Sequence, residues 1–235
     1  MPPRPDRTPS PLRRDPIDRP QSLAATVAER LKQAILRREI ALGEALSEEK
    51  IAQAMDVSRT PVREALTILQ MQGLITILPR RGSIVFKPDA EELHFLVDYR
   101  LNLELLASRL AMERDPEATL AGLRAAIARM NAARASDDPT AYAEADTDFH
   151  NTFFECCGNP FFQEAYDIAA GRIAALRMHQ SAHLKLHRTT TFQEHLDIAA
   201  AVEAGDAAEL ASVMRRHIGA MEETYADSLW RSRPE

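Results

Sequence analysis

The sequence predicts a mainly α-helical protein in two unlike parts: three helices closed by a β-hairpin, then an all-α antiparallel bundle of about six helices. Three observations predict it. Apolar residues recur at helical spacing from Ser22 to Gly73 and again from Asp89 onward. Strand-like runs are confined to two short segments on either side of Pro79-Arg80-Arg81-Gly82. Composition and charge then change at Pro88-Asp89, which separates residues 21–88 from residues 89–235. With 235 residues, 45% of them hydrophobic, the chain has enough apolar material to fill two modest cores.

Residues 1–20 hold half of the 14 prolines, with Arg and Asp between them. They bury too little to offset their ordering entropy and are expected as a disordered tail. The first helix follows Ser22, with Leu23, Val27, Leu31 and Ile35 at four-residue steps. Ser47 is the expected N-cap of the second, and Leu46 and Ile51 occupy the two positions of a hydrophobic staple. The third opens at Ser58-Arg59-Thr60-Pro61, where a proline is tolerated in the first turn, and it buries Val62, Ala65, Leu66 and Leu69. Gly73 ends it. Residues 74–78 and 83–86 form strands around the turn at 79–82, which completes a winged helix-turn-helix. Beyond Pro88, breaks at Pro116, Pro139, Gly158-Asn159-Pro160, residues 187–191 and Gly205 divide an Ala- and Leu-rich stretch. Helices are expected near 89–114, 116–135, 139–157, 160–182, 191–204 and 206–231, and an antiparallel bundle buries their apolar stripes most simply.

The net charge of −6 is unevenly spread: 10 Lys/Arg stand against 7 Asp/Glu over residues 21–88, and 14 against 25 over residues 89–235. A basic front on an acidic back implies that only the front meets phosphates. Cys156 and Cys157 are adjacent, which suits neither a structural disulfide nor a zinc site and fits packing residues in a reducing cytoplasm. No apolar run approaches the roughly 18 to 20 residues of a membrane span, and no signal-peptide core is present, so a soluble cytoplasmic protein is expected.

Arg59 and Arg63 are one helical turn apart, opposite the apolar stripe of the third helix. From that exposed face a guanidinium can present paired donors to guanine O6 and N7 in the major groove. Ser58 and Thr60 stand at the helix N-terminus, where hydroxyls and backbone amides can hold a phosphate. Arg80 and Arg81 at the hairpin tip, with Gly82 permitting close approach, are placed to enter the minor groove or clamp the backbone. An arbitrary arginine pair merely solvates a helix; the surrounding sequence argues otherwise. The run Val57-Ser-Arg-Thr-Pro-Val-Arg-Glu-Ala-Leu66, followed by Gly73-Leu-Ile and Pro79-Arg-Arg-Gly82, resembles the signature of the GntR family of bacterial transcription regulators. That resemblance implies double-stranded operator DNA as partner. Members often carry a further arginine early in the second helix, where this chain has Glu48-Glu49-Lys50, leaving Lys50 as the one basic residue there.

In the second part, Asp146 and His150 lie one turn apart on the stripe Tyr142, Asp146, Phe149, Phe153. His195 shares a stripe with Ile198, Ala199 and Val202, and His217 with Leu210, Met214 and Met221. All four groups point inward, where they need hydrogen bonds or a cation. A single such histidine is more often a satisfied core residue than a ligand. The set Asp146-Thr-Asp-Phe-His150, Gly158-Asn-Pro160, Glu194-His195, Gly205-Asp206 and His217 resembles the FCD ligand-binding domain of the FadR branch, and six helices suit its VanR-like subgroup. The resemblance implies that Asp146, His150, His195 and His217 hold a divalent metal, zinc ahead of nickel or manganese, whose open positions accept a small organic acid effector. It also implies that Arg100 faces the pocket. Arg172 is a second candidate counter-charge, and either could instead form a salt bridge. His179, His183 and His187 form a competing i, i+4, i+8 series, read as a solvated helix end or pocket rim.

A homodimer with its contacts in the bundle is expected, because one helix-turn-helix makes few contacts and two-fold symmetry matches a palindromic operator. The reading is therefore a ligand-released repressor and not an enzyme. A metal-dependent hydrolase and a regulator with a purely structural metal are its rivals. No His-Glu-x-x-His helix or phosphate-cradling glycine loop supports the first.

Overall fold

The computed structural model describes residues 22–78, 82–183 and 185–231, side chains at 182–183, 185–188 and 226–231 excepted. Residues 1–21 and the hairpin tip, with the expected tail and Arg80 and Arg81, lie outside the described residues.

The front part begins with α1 (Leu23–Leu36), whose N-cap Ser22 accepts from the Ala25 amide. Strand β1 (Ala45–Leu46) leads into α2 (Glu48–Met55), capped by Ser47 and closed by Asp56 in a left-handed conformation. Leu46 and Ile51 are both buried in one core, as a staple requires. Helix α3 (Arg59–Met71) follows, with Val62, Ala65, Leu66 and Leu69 buried. Gly73 takes φ +70°, which turns the chain into β2 (Ile75–Leu78), paired antiparallel with β3 (Gly82–Val85). Three helices and a hairpin were expected; β1 is additional. It pairs with β3 through Ala45 opposite Ile84 and Leu46 opposite Ser83, giving the strand order β1-β3-β2. Two residues carry no period, so sequence patterning had no means of detecting that strand.

Among the described residues the back part is a bundle of six helices: α4 (Ala90–Arg114), α5 (Pro116–Ala135), α6 (Pro139–Cys156), α7 (Pro160–His183), α8 (Lys185–Ala204) and α9 (Ala207–Arg231). Asp89 and Glu92 close a capping box on α4, and Asp115 and Asp138 cap α5 and α6 ahead of a proline in the first turn. Five of the six expected spans hold to within one or two residues. The exception is α8, which runs through the break expected at 187–191. Threonines 189–191 are weak helix formers, but Thr191 is buried and its hydroxyl lies 3.0 Å from the Tyr142 hydroxyl. Tertiary packing there overrides propensity. Helices α5 and α6 approach closely at Gly122, where a Cβ would come within 2.6 Å of Thr152 Cγ2. The thiol of buried Cys157 donates to the Phe154 carbonyl, and both cysteines are free. No helix among the described residues is long and apolar enough to cross a membrane.

Two cores result, and α7 belongs to both. Its Ile173 and Leu176 pack in the bundle, whereas Ala175 packs with Leu66, Leu69 and Leu74 of the front part. At Gly171 a Cβ would come within 3.0 Å of Leu74 Cγ, a tight approach between the two parts. Leu69 sits at the centre of the front core with no exposure. Leu69→Ala is expected to cost about 2–5 kcal/mol, most of it cavity and lost transfer energy, and urea unfolding should show this as a lower midpoint.

Candidate functional site

Ser58, Arg59, Thr60 and Arg63 all lie on the exposed face of α3, with Val62 and Leu66 anchoring the opposite face. Ser58 is the N-cap, yet its hydroxyl makes no capping bond. Gly82 opens β3 with φ +88°, and Lys50 is exposed on α2. Sequence reasoning missed what holds the two arginines. Glu48, at the start of α2, accepts from Arg63 Nε at 3.2 Å and Nη2 at 2.9 Å, and from Arg59 Nη2 at 3.3 Å. The Arg63 hydrogen bond holds the Glu48 carboxyl below its ordinary range, and the same bond raises Arg63.

Inside the bundle, one ligand atom from each of Asp146, His150, His195 and His217 lies within 4.8 Å of the others, and all four residues are buried. The first two come from α6, the third from α8 and the fourth from α9. Two carboxylates orient the rings. His150 Nδ1–H donates to Glu104 Oε2 at 2.5 Å, and His217 Nδ1–H donates to Glu194 Oε2 at 2.9 Å. Burial, outweighing the pull of Glu104, lowers the His150 pKa; burial and the neighbouring imidazoles put His217 well below its usual range. With Nδ1 of each ring turned outward to a carboxylate, the Nε2 atoms face the centre. The two Nε2 atoms lie 3.2 Å apart. His195 Nε2 approaches Asp146 Oδ1 to 2.9 Å without hydrogen-bond geometry, and both atoms are buried without a hydrogen-bond partner.

A second layer balances the charge. Arg100 Nε donates to Glu104 Oε1 at 2.7 Å, and its Nη2 donates to His150 Nε2 at 3.0 Å. Arg177 Nε lies 3.4 Å from Asp146 Oδ2, and Arg177 Nη2 lies 3.6 Å from Glu104 Oε1. Burial pushes both carboxyls up, but Arg100, His150 and Arg177 pull Glu104 far below its ordinary range, and Arg177 with the imidazoles does the same for Asp146. Tyr166 donates to Glu104, and burial pushes its own pKa up to about 12.

Arg100 therefore joins the cluster. Arg172 does not: its Nε donates to the Gly73 carbonyl at 3.0 Å and its guanidinium lies 5.5 Å from the Phe86 ring, at the junction with the front part. His179 packs against the Tyr225 ring, and the side chains of His183 and His187 lie outside the described residues. Glu104, Glu194 and Arg177 went unread as site residues. Glu104 had a signal, standing one helical turn after Arg100; Arg177 had none beyond an apolar stripe interrupted by a charge.

A three-helix unit that exposes arginines beside a hairpin, joined to a helical domain with a polar centre, defines a DNA-binding regulator with a sensing domain. The chain belongs to the gntR family of bacterial regulatory proteins, whose model matches residues 23–85, and carries an FCD domain over residues 96–220. It is 29% identical over 231 residues to the transcriptional repressor NanR of Edwardsiella tarda, covering 89% of this chain and 87% of that one. It is 31% identical over 193 residues to a transcriptional regulator from an unstable DNA locus of Streptomyces ambofaciens, covering 82% and 80%. A GntR protein of Rhodococcus sp. RHA1 superimposes with a TM-score of 0.74 at 25% identity, covering 89% of this chain and 99% of that one. McbR/YncC of E. coli shares the fold, with a TM-score of 0.73 at 20% identity over 90% and 99%. These matches are to transcriptional regulators and not to enzymes, which removes the hydrolase alternative.

Glu104→Gln would leave Arg100 and Arg177 facing a neutral amide. It is expected to cost about 3–5 kcal/mol in urea unfolding of metal-free protein, the range for a buried charge stripped of its partner. A midpoint equal to wild type would refute the balance described.

Proposed function

We propose that this chain is a transcriptional repressor that binds operator DNA as a homodimer and is released by a small carboxylate effector at a divalent metal ion. The observation that carries the reading is the convergence of one ligand atom each from Asp146, His150, His195 and His217 within 4.8 Å, with buried Asp146 Oδ1 and His195 Nε2 lacking a hydrogen-bond partner. Buried polar atoms left so close without a partner are unfavourable unless a cation or proton lies among them. Glu104 and Glu194 fix the two Nδ1–H groups outward, the arrangement that presents Nε2 to a metal. Three imidazoles and one carboxylate suit zinc first, then nickel or manganese. Bound there, the metal would act as a Lewis acid that accepts an effector oxygen.

Charge supports an anionic effector. The Asp146 and Glu104 carboxylates are balanced by Arg100 and Arg177, and Glu194 is paired with Arg216. A divalent ion would leave the centre positive, and Arg100 is placed to meet a carboxylate beside it. The six bundle helices suit the VanR-like subgroup. Repression is the role named for the NanR relatives. Phe95 on α4 and Phe161 and Ile168 on α7 are large exposed apolar residues on two neighbouring helices that Tyr99 ties together, and a second copy would cover them.

On the DNA side, Arg59 and Arg63 read base edges, Ser58 and Thr60 hold phosphate at the start of α3, and Gly82 lets the hairpin with Arg80 and Arg81 approach the duplex. Arg172 serves the domain junction in place of the effector.

Native mass measurement should give one metal per chain, lost on chelation and abolished in His195→Ala. If the metal belongs to sensing, organic acids will dissociate an operator complex of the metal-loaded protein only. A metal that changes melting temperature while leaving the acid response untouched would be structural and would sink the sensor reading. Arg59→Ala should cost about 1–3 kcal/mol against the operator and little against unrelated duplex, measured by anisotropy titration.

A further inference from the structure

Arg59 and Arg63 do not extend freely into solvent; both are clasped by Glu48. The arginine side chains are 62% and 65% exposed, and a salt bridge so open to water contributes little to folding stability. Its consequence lies in geometry and charge. Arg63 gives Glu48 the edge formed by Nε and Nη2, one oxygen to each nitrogen. That edge is one of the two forks a guanidinium can offer to a guanine or a phosphate. With it occupied, Arg63 keeps only the outer fork, Nη1 with Nη2, for another partner. The clasp also fixes two long side chains before DNA arrives, so less rotamer freedom is lost on binding. The trio carries a single net positive charge with a carboxylate at its base, and phosphate oxygens approaching that base meet repulsion.

We propose that Glu48 is a specificity-determining residue: by clasping Arg59 and Arg63 it orients them toward base edges and withholds them from the phosphate backbone. The proposal rests on the reading that α3 contacts DNA. Glu48 itself acts as a positioning residue from the N-terminus of α2.

The test uses the full chain and two duplexes of equal length and base composition: a site enriched from a random-sequence pool by the wild-type protein, and its scramble. Binding is followed by fluorescence anisotropy over a salt series. Glu48→Gln keeps the shape and removes the charge. It is expected to bind the scramble about 5- to 10-fold tighter at low salt, with the log–log salt slope steeper by about 0.9, the increment for one more phosphate contact. Its ratio of enriched to scrambled affinity should fall by about 10-fold, within what one good arginine–guanine pair supplies. Glu49→Gln is the control, because it removes the same charge from an exposed neighbour. It should move both affinities together and leave the ratio unchanged. A Glu48→Gln ratio equal to wild type, or shifted only as much as Glu49→Gln shifts it, overturns the proposal. Arg63→Ala separates the two levels: if it loses no discrimination, the α3 reading has failed, whereas normal Arg63→Ala losses beside an inert Glu48→Gln count against Glu48 alone. Circular dichroism melts of each variant confirm that folded proteins are compared.

Discussion

The bundle depends on keeping ionised groups neutralised at its centre. Glu104 has no exposure, and Arg100 and Arg177 are nearly as deep, so none of the three can turn to water for solvation. Each must find its counter-charge inside, with good geometry, or the desolvation cost exceeds any gain. The partners come from different helices: Arg100 and Glu104 from α4, Asp146 and His150 from α6, Tyr166 and Arg177 from α7, His195 from α8 and His217 from α9. One network thereby fixes the mutual setting of five helices. The apolar core of Phe149, Phe153, Ile173 and Ile218 supplies the driving force, but apolar contacts tolerate sliding in a way that this network does not.

Helix α7 connects that network to the DNA-binding part. On one side it contributes Tyr166, Ile173 and Arg177 to the bundle; on another it sets Gly171 against Leu74, Ala175 into the front core and Arg172 onto the Gly73 carbonyl and Phe86 ring. A shift of α7 along its axis would be felt in both places. Contiguity alone is not coupling, since transmission needs two discrete arrangements that a ligand tells apart. The centre offers a basis for two. Arg100 Nη2 donates to His150 Nε2, the atom that the proposed metal would take, so the guanidinium and such an ion would compete for one site.

The sequence carried the helices well because their signals are local and repeated. Ser47, Asp89, Pro116 and Pro139 each marked a start, and a helix begins at or next to each of them. The inward-facing imidazoles were legible for the same reason: His150, His195 and His217 sit on apolar stripes of fixed period. What escaped reading was pairwise and distant. Glu104 meets His150 across 46 positions, and Arg172 reaches Gly73 across 99, and no local pattern encodes such a match. Arg172 illustrates the limit, because an arginine on a half-buried stripe looks alike whether it faces a pocket or a neighbouring domain. Strand β1 and the threonines of α8 escaped because their structure is imposed by partners, β3 in one case and Tyr142 in the other.

The unexpected strand also bears on the exposed arginines. Pairing β1 to β3 pins Leu46 opposite Ser83, and the Gly43 amide to the Val85 carbonyl, immediately before α2 begins at Glu48. The β3 end is held in turn by the Phe86 amide on the Leu74 carbonyl, with Arg172 over the Phe86 ring. Without β1 the start of α2 would be fixed only by the packing of Ile51 and Ala52 in the front core. With it, Glu48 is referenced to the hairpin and, through Phe86, to α7. The proposed orientation of Arg59 and Arg63 is then a property of the whole front part and its junction, so the same two guanidinium groups on an isolated α3 would lack it.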